Sequence, residues 1–135
     1  MFIYERRVRI QDTDAAGLIY FANQLQIGLE AFEEFLYDQG FSIKDTLENQ
    51  KYLFPVVHAE ADFFSPIHLG DLLQLKLTFP TIGTRSFAHA SEVFVQQKKV
   101  GFVKIIHAMY SPSKKKSIPI PDDFKCKILK FRLKI

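Results

Sequence analysis

The chain has 135 residues, 47% of them hydrophobic and 14% aromatic, with a formal net charge of +3 and one cysteine. That is the length of a single domain, residues 1–135, with enough apolar mass for a core, and a lone Cys126 excludes a disulfide within the chain. No apolar run approaches the roughly 18 residues of a membrane span, and the opening Met1-Phe2-Ile3-Tyr4-Glu5-Arg6 lacks a signal-peptide core, so the sequence predicts a cytosolic (cytoplasmic) protein.

Phe2 to Gln11 sets Ile3, Tyr4, Val8 and Ile10 among Glu5, Arg7 and Arg9, the pattern of a strand that ends at Asp12. Asp12 and Asp14 then stand just ahead of a small-residue turn, Ala15-Ala16-Gly17, that opens onto an amphipathic segment. A carboxylate beside a helix N-terminus can attack a carbonyl, or activate water against it, while the free helix N–H groups stabilise the developing negative charge. Turn capping is the plainer role for either aspartate. From Ala22 to Gln39, Leu25, Leu29, Phe32 and Leu36 recur at helical spacing, which puts them on one buried face with Glu30, Glu33, Glu34 and Asp38 mostly opposite. Gly40 supplies a stop, and Gly28, which costs about 1 kcal/mol inside a helix, asks for a close contact at that point.

Ser42 to Lys51 is polar, with room for a short helical turn. Beyond it, Val56 to Phe64, Leu72 to Thr81, Ser86 to Gln96 and Phe102 to Tyr110 are β-rich runs, the last three reading as a meander. The separator before the final run is Gln97-Lys98-Lys99-Val100-Gly101. After Phe124, basic and apolar residues alternate to Ile135, so residues 122–135 read as a basic C-terminal strand or tail. The positive charge is local: residues 1–113 hold 10 basic and 13 acidic groups, net −3, and residues 114–135 hold 8 and 2, net +6. Such a segment suits a phosphate-bearing ligand, a nucleic acid or an anionic surface. One strand, a long helix and four more strands make an α+β fold, an antiparallel sheet with a helix on one face.

Asp12, Asp14, Gly17 and Tyr20 meet the pattern D-x-D-x-x-G-x-x-[YW], placed between the first strand and the long helix. Through it the chain resembles, over nearly its whole length, the 4-hydroxybenzoyl-CoA thioesterase branch of the hot dog superfamily. Together with Val57-His58-Ala59 and the run from Asp62 to Asp71, Asp12 to Phe21 looks most like the 1,4-dihydroxy-2-naphthoyl-CoA thioesterases of that branch, which serve phylloquinone or menaquinone synthesis. The resemblance implies a hot dog fold, one long helix wrapped by a curved antiparallel sheet of five or more strands, and hydrolysis of an aromatic acyl-CoA. It makes Asp14 the catalytic carboxylate and the Phe21 backbone N–H an oxyanion-hole donor, with Gly17 and Tyr20 in the same motif and Asp12 secondary. Tol-Pal-associated relatives have histidine at the position of Phe21; the departure argues against that role and leaves an apolar wall suited to an aromatic acyl group. The resemblance further implies a homodimer, or a homotetramer built as a dimer of dimers, with active sites at the dimer interface.

A thioester needs only a placed carboxylate and amide donors, so no metal and no cofactor beyond the substrate's CoA is expected. Lys114 and Lys116 fall where aromatic acyl-CoA relatives place arginines for the CoA phosphates, and Arg85 is a weaker candidate; a solvated loop is the alternative. His58 opens a strand near the helix and could orient substrate, or could be a surface histidine. The four histidines form no HxH or HxxxH pair, and no G-x-S-x-G elbow occurs, which leaves zinc and serine-triad chemistry without support. A second hot dog branch carries its carboxylate on the helix, a role open here to Glu30, Glu33 or Glu34. Neither a membrane partner nor a nucleic acid is expected: the tail lacks a helical moment, and no stacking module is present. The remaining alternatives are a short- or medium-chain acyl-CoA or acyl-carrier-protein thioesterase and a non-catalytic CoA-ester binding module.

Overall fold

An 18-residue helix, α1 (Phe21–Asp38), lies across one face of a five-stranded antiparallel sheet in the computed structural model, which describes residues 1–132. The strands are β1 (Phe2–Arg7), β2 (Val56–Phe63), β3 (Leu72–Ile82), β4 (Ser86–Val95) and β5 (Lys98–Ala108), in the order β1-β3-β4-β5-β2. A short helix α2 (Ile43–Glu48) follows α1, and a two-residue ribbon, β6 (Tyr110–Ser111) with β7 (Lys116–Ser117), precedes helix α3 (Asp122–Leu129). β3, β4 and β5 form the expected meander. β1 and β2 are the edges, and the α+β hot dog arrangement is as the sequence implied.

Four features differ from expectation, each for a physical reason. β1 stops at Arg7 because the Asp12 carboxylate accepts the Arg9 N–H at 2.8 Å and draws residues 10–12 into a 3₁₀ turn. β5 begins at Lys98, since Gln96 and Gln97, at φ of 48° and 69°, make a two-residue turn that usually carries Asn or Gly. The buried stripe of α1 is Gln24, Ile27, Gly28, Ala31, Phe32, Phe35 and Leu36, while Leu25 and Leu29 sit on its flank. Small residues take the centre of that stripe because the helix backbone comes down onto the sheet: a Cβ at Gly28 would stand 2.5 Å from Val103 Cγ1. The contact Gly28 asked for is therefore a β5 side chain against the helix.

The fourth difference is at the C-terminus, where residues 122–129 are α-helical and not a strand or tail. Pro121 precedes the helix, Asp122 and Asp123 stand at its positive end, and Phe124 and Ile128, four apart, are fully buried. The lysine alternation had masked that spacing. Beyond α3 the Phe79 N–H donates to Phe131 O at 3.1 Å; the last part of the expected strand, residues 133–135, lies outside the described residues.

Two histidines lie inside the aromatic core. His107 Nδ1 is 2.7 Å from the Phe54 carbonyl, and its Nε2 is 3.0 Å from His89 Nε2. A carbonyl can only accept, so His107 donates from Nδ1 and receives at Nε2 the proton of His89 Nε2–H. His89 stacks on Phe32 at 4.4 Å. Burial holds both imidazoles below the usual histidine range, His89 further because His107 adjoins it. The unfolded chain then binds more protons than the native one once the pH drops below about 6.5. Urea unfolding should show stability level above about pH 7 and falling below 6.5, by at most about 1.4 kcal/mol per pH unit for each histidine, with a shallower fall in His89→Phe.

Candidate active site

Residues 12–20 fold into a miniature hairpin. The Tyr20 N–H donates to Asp12 O at 2.9 Å, the Asp14 N–H to Leu18 O at 2.9 Å and the Gly17 N–H to Asp14 O at 3.1 Å. Gly17 closes the turn at φ +75°, a conformation glycine adopts without strain. Two further bonds, from the Ile19 N–H to Ile67 O at 2.8 Å and from the Leu69 N–H to Gly17 O at 2.9 Å, stitch the hairpin to the β2–β3 connection. Its far strand runs directly into α1.

The two aspartates have separate fates. Asp12 is buried, accepts from Nη1 and Nη2 of Arg6 and caps the Arg9 N–H. Burial pushes its carboxyl up, but Arg6 and the Arg9 N–H outweigh this and hold it below the usual carboxylate range. Its carbonyl also accepts Asn23 Nδ2 at 2.9 Å. Asp12 is thus a structural tie between β1, the hairpin and α1. Asp14 is exposed at the hairpin tip, where Oδ1 accepts the Ala16 N–H at 2.9 Å and Oδ2 has no partner among the described residues. Seven residues on, Phe21 opens α1; Tyr20 provides no side-chain cap, and the Phe21 N–H has no acceptor among the described residues. A free carboxylate thus stands on the loop that delivers an uncapped helix N-terminus.

A groove of about 330 Å³ adjoins this terminus, walled by Leu18, Ile19, Phe21, Phe63, Phe64 and Ile67. Tyr20, partly exposed, packs against the Phe21 ring at 4.9 Å. Gln24 also lines the groove, a residue that the sequence pattern did not single out although a polar group on an apolar helix face was the available signal. Arg6 was missed as well. The helix carboxylates offer little competition: Glu30 accepts from Arg6 Nε at 3.0 Å and from the Tyr4 hydroxyl, and Glu33 and Glu34 lie on the exposed face.

The remaining predicted residues gather elsewhere. Arg85 Nη1 donates to Ser117 O at 3.0 Å, beside Lys116 in β7 and the turn that carries Lys114. His58, half-exposed with Nε2 3.4 Å from Glu60 Oε2, is near the start of β2. All four sit where β2 begins and β5 ends, whereas the hairpin sits where β2 ends and β3 begins. The eight-residue β2 between those ends is about 26 Å long. One chain alone does not bring these residues to Asp14. Among the described residues no group of three His, Cys, Asp or Glu side chains could hold a metal ion, and no helix is long and apolar enough to cross a membrane.

Residues 8–128 match the thioesterase-like superfamily. The chain is 40% identical over 122 residues to the 1,4-dihydroxy-2-naphthoyl-CoA hydrolase of Nostoc punctiforme, covering 90% of this chain and 82% of the relative. It is 34% identical over 134 residues to the hydrolase of the same name from Trichodesmium erythraeum, 97% of each. The crystal structure of a 1,4-dihydroxy-2-naphthoyl-CoA thioesterase from Synechocystis superposes with a TM-score of 0.89 at 31% identity, over 95% of each chain.

Arg6→Met would leave the Asp12 charge buried and unpaired. It should cost about 3 kcal/mol in urea unfolding, with Asp12→Asn costing less because a neutral amide oxygen still accepts the Arg9 N–H.

Proposed function

The chain belongs to the thioesterase-like superfamily, and on that premise we propose that it hydrolyses 1,4-dihydroxy-2-naphthoyl-CoA to the free acid and CoA, in quinone synthesis. The observation that carries this reading is the free Asp14 carboxylate on the hairpin that leads into the uncapped N-terminus at Phe21. The relatives' names and the aromatic wall of the adjoining groove support the choice of acyl group.

In the proposed reaction the thioester carbonyl oxygen meets the Phe21 N–H, which stabilises the oxyanion as it forms. Asp14 either attacks the carbonyl carbon, giving an anhydride that water opens, or takes a proton from a water that attacks in its place. The CoA thiolate leaves in both cases. No metal or cofactor is needed, and a CoA ester as substrate supports a cytoplasmic enzyme.

The binding half of the site we assign to a second copy of the chain. β2 is an edge strand with one row of ladder groups unpaired, and Val56, Val57 and Phe63 are 47%, 60% and 50% exposed. Antiparallel pairing of two β2 edges about a two-fold axis would lay the start of one strand beside the end of the other. His58, Arg85, Lys114 and Lys116 of one copy would then approach the Asp14 hairpin of its mate. The cations would hold the CoA phosphates, the lysines as salt-sensitive point charges rather than bidentate forks. A homodimer, or a tetramer of two such dimers, satisfies this arrangement.

Thiol release should be fastest from 1,4-dihydroxy-2-naphthoyl-CoA in a panel with benzoyl-CoA, 4-hydroxybenzoyl-CoA and straight-chain acyl-CoAs, and Asp14→Asn should lower kcat by roughly 10²–10⁴-fold. Preference for straight chains would move the assignment to a general acyl-CoA thioesterase, and CoA-ester binding without turnover to a binding module. Sedimentation equilibrium should find a dimer or tetramer at assay concentrations; a fully active monomer would rule out the two-chain site.

A further inference from the structure

The side chains of β2 divide between the two faces of the sheet, and nearly all of them are exposed. Ala59 and Ala61 pair with the buried Ile105 and Val103 of β5, on the face that α1 covers. His58, Glu60 and Asp62 pair with Ile106, Lys104 and Phe102, on the opposite face. His58 therefore points away from α1. Its imidazole and the Glu60 carboxylate, 53% and 52% exposed, stand 3.4 Å apart. The other charged groups near it on this face are Asp62 on its own strand and Lys104 on β5; Ile106, directly opposite, is apolar, and Arg85, Lys114 and Lys116 stand beyond the end of β5.

The backbone fixes how a second β2 would meet this row. The Phe64 N–H donates to Val100 O at 2.9 Å. Backbone direction alternates along an antiparallel strand, so Glu60 and Asp62 spend their groups on β5, and those of Ala59 and Ala61 face the free edge. A second copy would bond through the alanines and leave the even-numbered side chains in the closer, non-hydrogen-bonded positions, Cβ atoms about 4.5–5.5 Å apart. Residues directly opposite in such a ladder share a face, which leaves two pairings of near-complete overlap about a two-fold axis. In one, Ala59 meets its own counterpart and His58 meets Glu60 of the mate. In the other, Glu60 meets its counterpart and His58 meets Asp62 of the mate. Both set a carboxylate against each imidazole, and the first avoids opposing two like charges.

We infer that His58 and the β2 carboxylates form a reciprocal charged ladder between two copies of the chain, tightened when the imidazole takes a proton. The inference rests on the β2-edge dimer proposed above and is independent of the acyl group. Histidine changes charge between pH 5 and 8, while carboxylates stay ionised over most of that range. Symmetry counts each such pair twice. Assembly of the two-chain site is thus firmest in mild acid, opposite in sign to the stability lost through the buried His89 and His107.

The test is subunit exchange. Exposed Cys126, the only cysteine, takes a donor dye in one sample and an acceptor in the other. The samples are mixed in urea too dilute to unfold the chain, which brings exchange into a measurable range, and energy transfer is followed at about pH 8 and about pH 6. Exchange should be roughly tenfold slower at the lower pH, and added salt should narrow the difference. His58→Gln should exchange at one rate at both, and so should Glu60→Gln in the favoured pairing or Asp62→Asn in the other. Equal wild-type rates at the two pH values, or a difference that persists in His58→Gln, would overturn the ladder and leave the dimer standing. No energy transfer at either pH, with a monomer in sedimentation, would overturn the two-chain site and this inference with it.

Discussion

The depth at which α1 seats on the sheet governs the rest of the molecule. Two notches set it: Gly28 leaves room for Val103 beneath the helix, and Gly101 leaves room for the Gln24 carboxamide above the sheet. With the backbones this close, Phe32 and Phe35 reach down among Phe79 and Phe87, and apolar area leaves water along the whole C-terminal half of the helix. A helix held at fixed depth by packing at one end and by hydrogen bonds at the other has its N-terminus fixed as well. That terminus is where the chemistry is assigned.

The hairpin before the helix makes two equal side chains unequal. Asp12 meets Arg6 in a mostly buried setting, and its carboxylate and carbonyl are consumed in holding three elements together. Among the described residues Asp14, two residues later, meets no cation and keeps an oxygen free. Charge neutralisation fixes the first; lack of it leaves the second available. Arg6 and Glu30 extend the tie to the middle of α1, so the loop is braced against the helix whose amides it presents.

The proposed pairing of β2 edges gives the separated halves of the site one explanation. The basic cluster and the Asp14 hairpin lie at opposite ends of the same sheet, and a two-fold axis across β2 would exchange those ends. Edge pairing and site completion would then be one event, with the exposed valines and Phe63 of β2 covered at the same step.

Much of this was legible in the sequence. The D-x-D-x-x-G-x-x-Y motif located the hairpin, the helical period located α1 to within a residue, and the meander followed from β-rich runs. Where reading failed, the determinant was not local. The buried face of α1 turned toward small residues because Val103, some 75 positions away, needed the space. The Gln96–Gln97 turn carries no turn-favouring residue, and α3 was hidden by lysines whose alternation imitates a strand. The sequence by itself determined the class of fold, the family and the carboxylate motif, since these rest on periodicity and on contiguous residues. Only the tertiary structure decided which aspartate is free, which glutamine is buried between helix and sheet and which ends of the sheet lie apart, because each depends on side chains brought together from distant parts of the chain.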